Sequence, residues 1–319
     1  MTDINDVVGD SDQAKGEGAG DDADLPELEL VETLDSAPSD AVRAILDEVL
    51  PMVEVEGWEG AVEVLREALE RFPEDPYVLS WLGMAERELG MESMALERFR
   101  QALAAEPRDP VLLATVGNAL ASWDDPEAEG ALRTAALLAP GLAQARWMYG
   151  AWLAREGLFE EGIAELEAAL VIEPEDPLIQ TEHGVALALS GQIQTALGAF
   201  SRAAELDPED GWALSLLGLA YLELEDLDES ARALIAAAYL RPDDLDLQLL
   251  TALALGAIEE DTRALEMLER ARLHGEEGLD RVLILEVEEA LEDGATASRR
   301  LLERNLGPSS FRERMMQRP

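Results

Sequence analysis

The sequence predicts an all-α protein, an α-solenoid of stacked helix pairs, on three observations. A glycine returns at Gly83, Gly117, Gly150, Gly184 and Gly218, and a proline at Pro73, Pro107, Pro140, Pro174, Pro208 and Pro242, with gaps of 33 or 34 residues. Apolar residues between these marks fall three and four apart, as Leu79, Leu82, Leu96, Phe99 and Leu103 do, which is the helical period. The dipeptides Asp75-Pro76, Asp109-Pro110 and Asp176-Pro177 stand where one unit gives way to the next. Aspartate caps the free N–H groups of a helix, and proline suits its first turn. One helix pair cannot bury both of its apolar stripes, so such units stack and bury them against neighbours.

Residues 1–38 hold twelve Asp and Glu against Lys15 alone, too little apolar surface to offset ordering, and are expected to form an acidic disordered tail. Within it, Leu25 to Leu34 (LPELELVETL) alternates acidic and apolar residues, a composition of short docking segments as well as of solubilising tails. The solenoid is expected over 39–306. A degenerate unit at 42–75 comes first, with Val49 in the glycine slot and Pro51 inside a helix. Clear units follow at 76–109, 110–142, 143–176, 177–210 and 211–244, the second one residue short in the turn Ser122 to Pro126. Small residues at Gly83/Ala95, Gly117/Ala128, Gly150/Gly162, Gly184/Ala196 and Gly218/Ser230 are expected to let the two helices of a unit approach closely. A degenerate unit, 245–278, and a closing pair, 279–306, end the array, since its last repeat would otherwise expose an apolar face. Residues 307–319 read as a basic tail, part of a C-terminal end with Arg299, Arg300, Arg304, Arg312, Arg314 and Arg318. It is expected to be untied, or else to fold back on the acidic body.

The period and its landmarks, Leu82-Gly83, Ala95, Phe99, Ala102 and Pro107, resemble the tetratricopeptide repeat, whose pattern runs W-x2-L-G-x2-Y, then A-x3-F, then P. The resemblance covers most of the chain and implies a right-handed superhelix whose inner face is lined by the first helix of each unit. On this sequence the implied partner-binding groove contains Tyr77, Met84, Arg87, Asn118, Trp147, Arg155, Leu178, Val185, Trp212, Leu219 and Leu222. The face is mainly apolar, suited to a partner helix or extended peptide. Family members that bind chaperone tails clamp a terminal carboxylate with lysine, arginine and asparagine. Only Asn118, Arg87 and Arg155 approach that set, and the asparagine ladder of the sugar-transferring relatives is absent.

Composition narrows the function. The net charge is −45, from 69 acidic against 24 basic residues, which disfavours phosphate backbones and favours a basic or amphipathic partner. Arginine supplies every basic residue but Lys15, a bias of GC-rich genomes or salt-adapted hosts. The chain has no cysteine, so disulfides, thiol catalysis and cysteine-ligated metals are excluded. Neither a signal peptide nor an apolar run long enough for membrane insertion is visible, which reads as cytoplasmic. His183 fills the slot of Leu82 and Leu217 and reads as a packed core histidine, while His274 sits at a helix end. The acidic turns, such as Glu173 to Asp176, read as solvated caps without calcium-loop spacing. No catalytic constellation, phosphate loop or cofactor motif appears. The expectation is a non-catalytic scaffold or adaptor that binds a peptide or helix of a partner protein, without a cofactor. The alternative is a regulatory or assembly-chaperone subunit held closed by its own tail.

Overall fold

The computed structural model describes residues 37–274 and 278–317, which belong to one unit, Ser36–Pro319. The acidic segment and its Leu25 to Leu34 stretch lie outside the described residues up to Ser36. Every element among the described residues is helical. The first pair is α1 (Asp40–Val53) and α2 (Trp58–Arg71). Next come α3 (Pro76–Glu88) with α4 (Glu92–Ala104), and α5 (Pro110–Ala121) with α6 (Glu127–Leu138). Then follow α7 (Ala143–Arg155) with α8 (Phe159–Ile172), and α9 (Pro177–Leu189) with α10 (Ile193–Leu206). The last two pairs are α11 (Gly211–Glu223) with α12 (Leu227–Leu240), and α13 (Leu245–Ala257) with α14 (Asp261–Arg272). Helix α15 (Gly278–Glu292) and α16 (Ala295–Leu301) close the array. A π-helical turn, Leu302–Leu306, carries α16 directly into a further helix, α17 (Gly307–Met316).

The odd-numbered helices from α3 to α13 start at the first residue of each sequence unit, and aspartate sets several of these starts. Asp75 Oδ1 accepts from the Tyr77 and Val78 N–H groups at 3.0 and 3.1 Å, Asp109 Oδ1 from Val111 at 2.8 Å, and Asp176 Oδ1 from Ile179 at 2.9 Å. Pro51 sits inside α1, which ends two residues later at Val53. The turn inside each unit holds one residue at positive φ: Glu56, Gly90, Asp124, Gly157, Gly191, Glu225 and Glu259, again 33 or 34 apart. Asp124 keeps the standard distance from Gly117, so the residue missing from the short unit is lost after it, at Asp125 to Glu127. There Asp125 Oδ1 accepts from the Glu127 N–H at 2.9 Å and restores a cap.

Within each unit the two helices meet at the repeated glycine, although its facing partner is usually large. A Cβ on Gly184 would lie 2.5 Å from the Phe200 ring, and one on Gly83 would lie 3.0 Å from Phe99. Only Gly150 and Gly162 face each other, each hypothetical Cβ meeting the other's carbonyl oxygen at 2.8 and 2.7 Å.

Across units, each second helix packs on the first helix of the next, and the first helices α1, α3, α5, α7 and α9 also touch in succession. Second helices of neighbouring units make no comparable contact among the described residues. From α1 to α9 the wall thus brings the odd-numbered helices together and holds the even-numbered ones apart, so it curves with the odd-numbered helices inside. The core runs through this wall as four buried clusters centred on residues such as Leu65, Phe99, Leu166 and Leu234. Helices α15 and α16 cover α13, as a closing pair should. The outward face of α15 nevertheless leaves Leu279, Val282 and Leu285 exposed.

The C-terminal end departs most from expectation. Residues 307–316 form a packed helix in place of an untied tail. Gly307, Ser310, Phe311, Arg314 and Met315 are buried, one stripe at spacings of three and four. That stripe lies against α11, so the chain folds back along the inner layer.

Candidate functional site: the inner helix face

The predicted groove residues divide into two groups along the inner layer. In the first half they are partly accessible and already engaged with the fold. Tyr77 donates its hydroxyl to Asp109 Oδ2 at 2.7 Å, tying one unit to the capping aspartate of the next. Burial first, then this carboxylate, push the Tyr77 phenol well above its ordinary pKa, so it stays a donor. Arg87 bridges to Glu88 at 3.2 Å on the surface, and Met84 and Asn118 are half-buried.

In the second half the face is covered. Val185 and Leu219 are fully buried, and Leu222, Trp147 and Arg155 nearly so. Trp147 lies in a cluster with Leu113, Ala114 and Met148 and is a core residue in this structure, not an open anchor. Leu178 and Trp212 are partly buried, and the Trp212 indole N–H is buried without a protein acceptor. Val185, Leu219 and Leu222 share one cluster with Phe311 and Met315 of α17.

Helix α17 is seated there by shape and charge. A Cβ on Gly307 would crowd the tip of Leu222 and lie 2.7 Å from the Leu302 carbonyl oxygen, so glycine eases the close seating of the start of α17 on α11 and on its own π turn. Arg314 forks onto Asp244 at 2.9 and 3.0 Å and reaches Asp246 Oδ2 at 3.1 Å. Its Nε donates to Ser310 Oγ at 3.2 Å, and the Ser310 hydroxyl itself donates to Asp246. Asp244 is at the same time the N-cap of α13, accepting from the Leu247 N–H at 3.0 Å. A planar guanidinium matched to a carboxylate gives both direction and strength.

At the other end stands an ion pair that sequence reading did not foresee. Arg155 on α7 donates to both oxygens of Glu182 on α9 at 2.6 and 3.0 Å, with side chains 1% and 0% exposed. Its Nη2 also donates to the Gln317 carbonyl at 2.7 Å, across 162 residues of chain. Thus α17 starts over α11, is pinned by the first turn of α13, and ends at α7. The signal in the sequence was a charged residue, Glu182, in a slot that Trp81, Thr115, Met148 and Leu216 fill in the other clear units.

Other candidate chemistry is not assembled. His183 is half-buried with Nε2 lacking a protein partner, and burial, opposed by Glu167, lowers its pKa and keeps it neutral. His274 Nδ1 lies 3.7 Å from Asp243 at the end of α14. Asp176, Asp210 and Asp244 in the acidic turns cap the helices that follow. Among the described residues no group of three His, Asp or Glu is placed to hold a metal ion, and no helix is long and apolar enough to cross a membrane.

Helix pairs of one length stacked in a row define a helical-repeat protein. The family model described as "Tetratricopeptide repeat" matches residues 53–110 and 181–246, and with the 33- and 34-residue units between and beyond them the chain is a tetratricopeptide-repeat protein. Among solved structures it is similar to the APC/C hetero-tetramer Cut9-Hcn1, with 20% identity and a TM-score of 0.62 over 75% of this chain. The match spans 48% of that chain, about half its length. PilW, a widely conserved type IV pilus biogenesis factor, is similar at 19% identity and a TM-score of 0.56, over 63% of this chain and 94% of PilW. The pilF protein of Pseudomonas aeruginosa is similar at 23% identity and a TM-score of 0.51, over 63% of this chain and 92% of that one. These likenesses concern the fold. None of the curated proteins matches the sequence.

Proposed function

We propose that the chain is a non-catalytic scaffold that holds a helical or extended segment of a partner protein on the inner face of its odd-numbered helices. The observation that carries this reading is α17 itself. The face of α11 and α13 accepts an amphipathic helix, burying one apolar stripe and satisfying its arginine with two carboxylates. Helix-in-groove recognition uses the same physics when the helix comes from another chain. The net charge of −45 repels phosphate backbones and steers basic segments toward the protein. Cut9, on the similar fold, is part of a hetero-tetramer.

The same helix favours a second reading, a regulatory or assembly subunit closed by its own C-terminal segment. Both readings place a partner on the inner layer. The test is cross-linked capture from native cells with the full chain and with a Met84→Ala/Asn118→Ala variant on the accessible half of the face. A protein held by the wild type and lost from the folded variant supports the reading. Captured proteins indifferent to these substitutions would refute it.

A further inference from the structure

Resting on that reading, we infer that the inner face from α7 to α13 is a docking site for an arginine-bearing amphipathic helix of a partner, and that α17 occupies this site in cis as a surrogate ligand. The site has three parts. Leu222 and its neighbours form an apolar floor that admits a small residue at the start of the ligand helix, where Gly307 sits. Asp244 and Asp246 form a two-carboxylate socket that takes a guanidinium seven residues later, where Arg314 sits, with Phe311 and Met315 buried beside it. Arg155, already oriented by Glu182, presents an N–H to a main-chain carbonyl at the far end.

These parts recognise a pattern, small-x2-small-aromatic-x2-Arg-Met, in place of any one sequence. Lysine would fill the socket poorly, because it cannot fork across both oxygens of Asp244.

Helix α17 has the features of an occupant more than of a repeat. It lies outside the 34-residue period, presents a single buried stripe, and joins the body through the π-helical turn Leu302–Leu306. A π turn replaces the regular backbone bonding at this junction, an irregularity frequent at functional sites. The competing segment must overcome an intramolecular ligand whose effective concentration is on the order of millimolar. A partner does so by extending past α7 onto the half-buried Asn118 and Met84 of α5 and α3, where α17 does not reach.

The test uses the full chain and one named probe, a fluorescently labelled peptide with the sequence of residues 305–317. In the chain carrying Phe311→Ala and Arg314→Ala the cis contacts are weakened, and the peptide binds at least tenfold more tightly than to the wild type. A peptide in which the residue matching Arg314 is replaced by alanine, with Arg312 kept, does not bind that variant. Asp244→Asn, which keeps an N-cap but removes the charge, abolishes binding when added to it. If the folded variant fails to bind the peptide, or binds the alanine peptide equally, the proposal is overturned. If Arg314→Ala alone melts helices beyond α17, as circular dichroism would show, α17 is an integral part of the core and the proposal is likewise overturned. A captured protein that depends on Met84 and Asn118, found together with no peptide binding, would sink this inference and leave the scaffold reading standing.

Discussion

Single residues decide where this wall can be altered. Gly184 has no room for a methyl group, because a Cβ would press 2.5 Å from the Phe200 ring, whereas Gly198 on the next helix has open space around it. Gly184→Ala should therefore cost about 1–3 kcal/mol through overpacking. Gly198→Ala should gain about 0.5–1 kcal/mol through reduced unfolded-state entropy and better helix propensity. Urea midpoints of the two variants check the opposite signs. The positive-φ turn positions invert this logic. Glu259 adopts φ +63, a conformation that costs a side-chain residue about 1–2 kcal/mol, at a register where Gly191 stands in another unit. Glu259→Gly should raise the melting temperature and Gly191→Glu should lower it. Trp147, enclosed with Leu113 and Met148, should behave as core. Trp147→Ala should lose about 3–5 kcal/mol, as large as the loss from Leu217→Ala, and a denaturant midpoint near that of wild type would contradict the packing described.

At the scale of the element, α17 is the helix whose attachment depends on pH. Burial alone would raise the Asp244 carboxyl, but the Arg314 fork, the Leu247 N–H and Arg241 outweigh it and hold the pKa below its ordinary 3.8. A carboxylate with a depressed folded-state pKa contributes stability that is present above the unfolded value and lost as pH falls through the folded one. Docking of α17 should thus be constant at neutral pH and weaken as the pH drops below about 4. A spin label on a single cysteine introduced at the exposed Met316 should be immobile at pH 7 and mobile in acid. Helicity of the remaining pairs, followed by circular dichroism, separates release from unfolding. The repeat units were legible because each carries its own local marks, such as Asp75, Asp109 and Asp176 before a helix and Gly83 or Gly184 at a crossing. Helix α17 was not, because its buried stripe of Gly307, Ser310, Phe311, Arg314 and Met315 has only two strongly apolar members. Its partners, Asp244 and Asp246, look like ordinary turn acids until the fold brings Arg314 to them. Arg155 was legible as a groove cation, but Glu182, 27 residues later on another helix, left no mark tying it to Arg155.

For the whole molecule, charge and connectivity matter more than any single contact. A net charge of −45 opposes compaction, and its longer-range part is screened at physiological ionic strength. The thermal midpoint should therefore rise between roughly 10 and 150 mM salt, as the screening length falls from about 30 to about 8 Å. A flat or falling profile would mean that exposed ion pairs such as Arg133–Glu129, which salt screens, dominate. A row of repeats behaves as a line of beads, in which an interface can open at one end and leave the rest unchanged. The bond from Arg155 to the Gln317 carbonyl closes part of that line into a ring containing α7 through α17. While α17 is docked the links of the ring are restrained together, and once α17 is released the row is a line again. Hydrogen exchange should then find one shared opening free energy for α7 to α13 and a graded series for α1 to α6. Cutting the ring by Arg155→Ala should return the second half to the graded behaviour of the first.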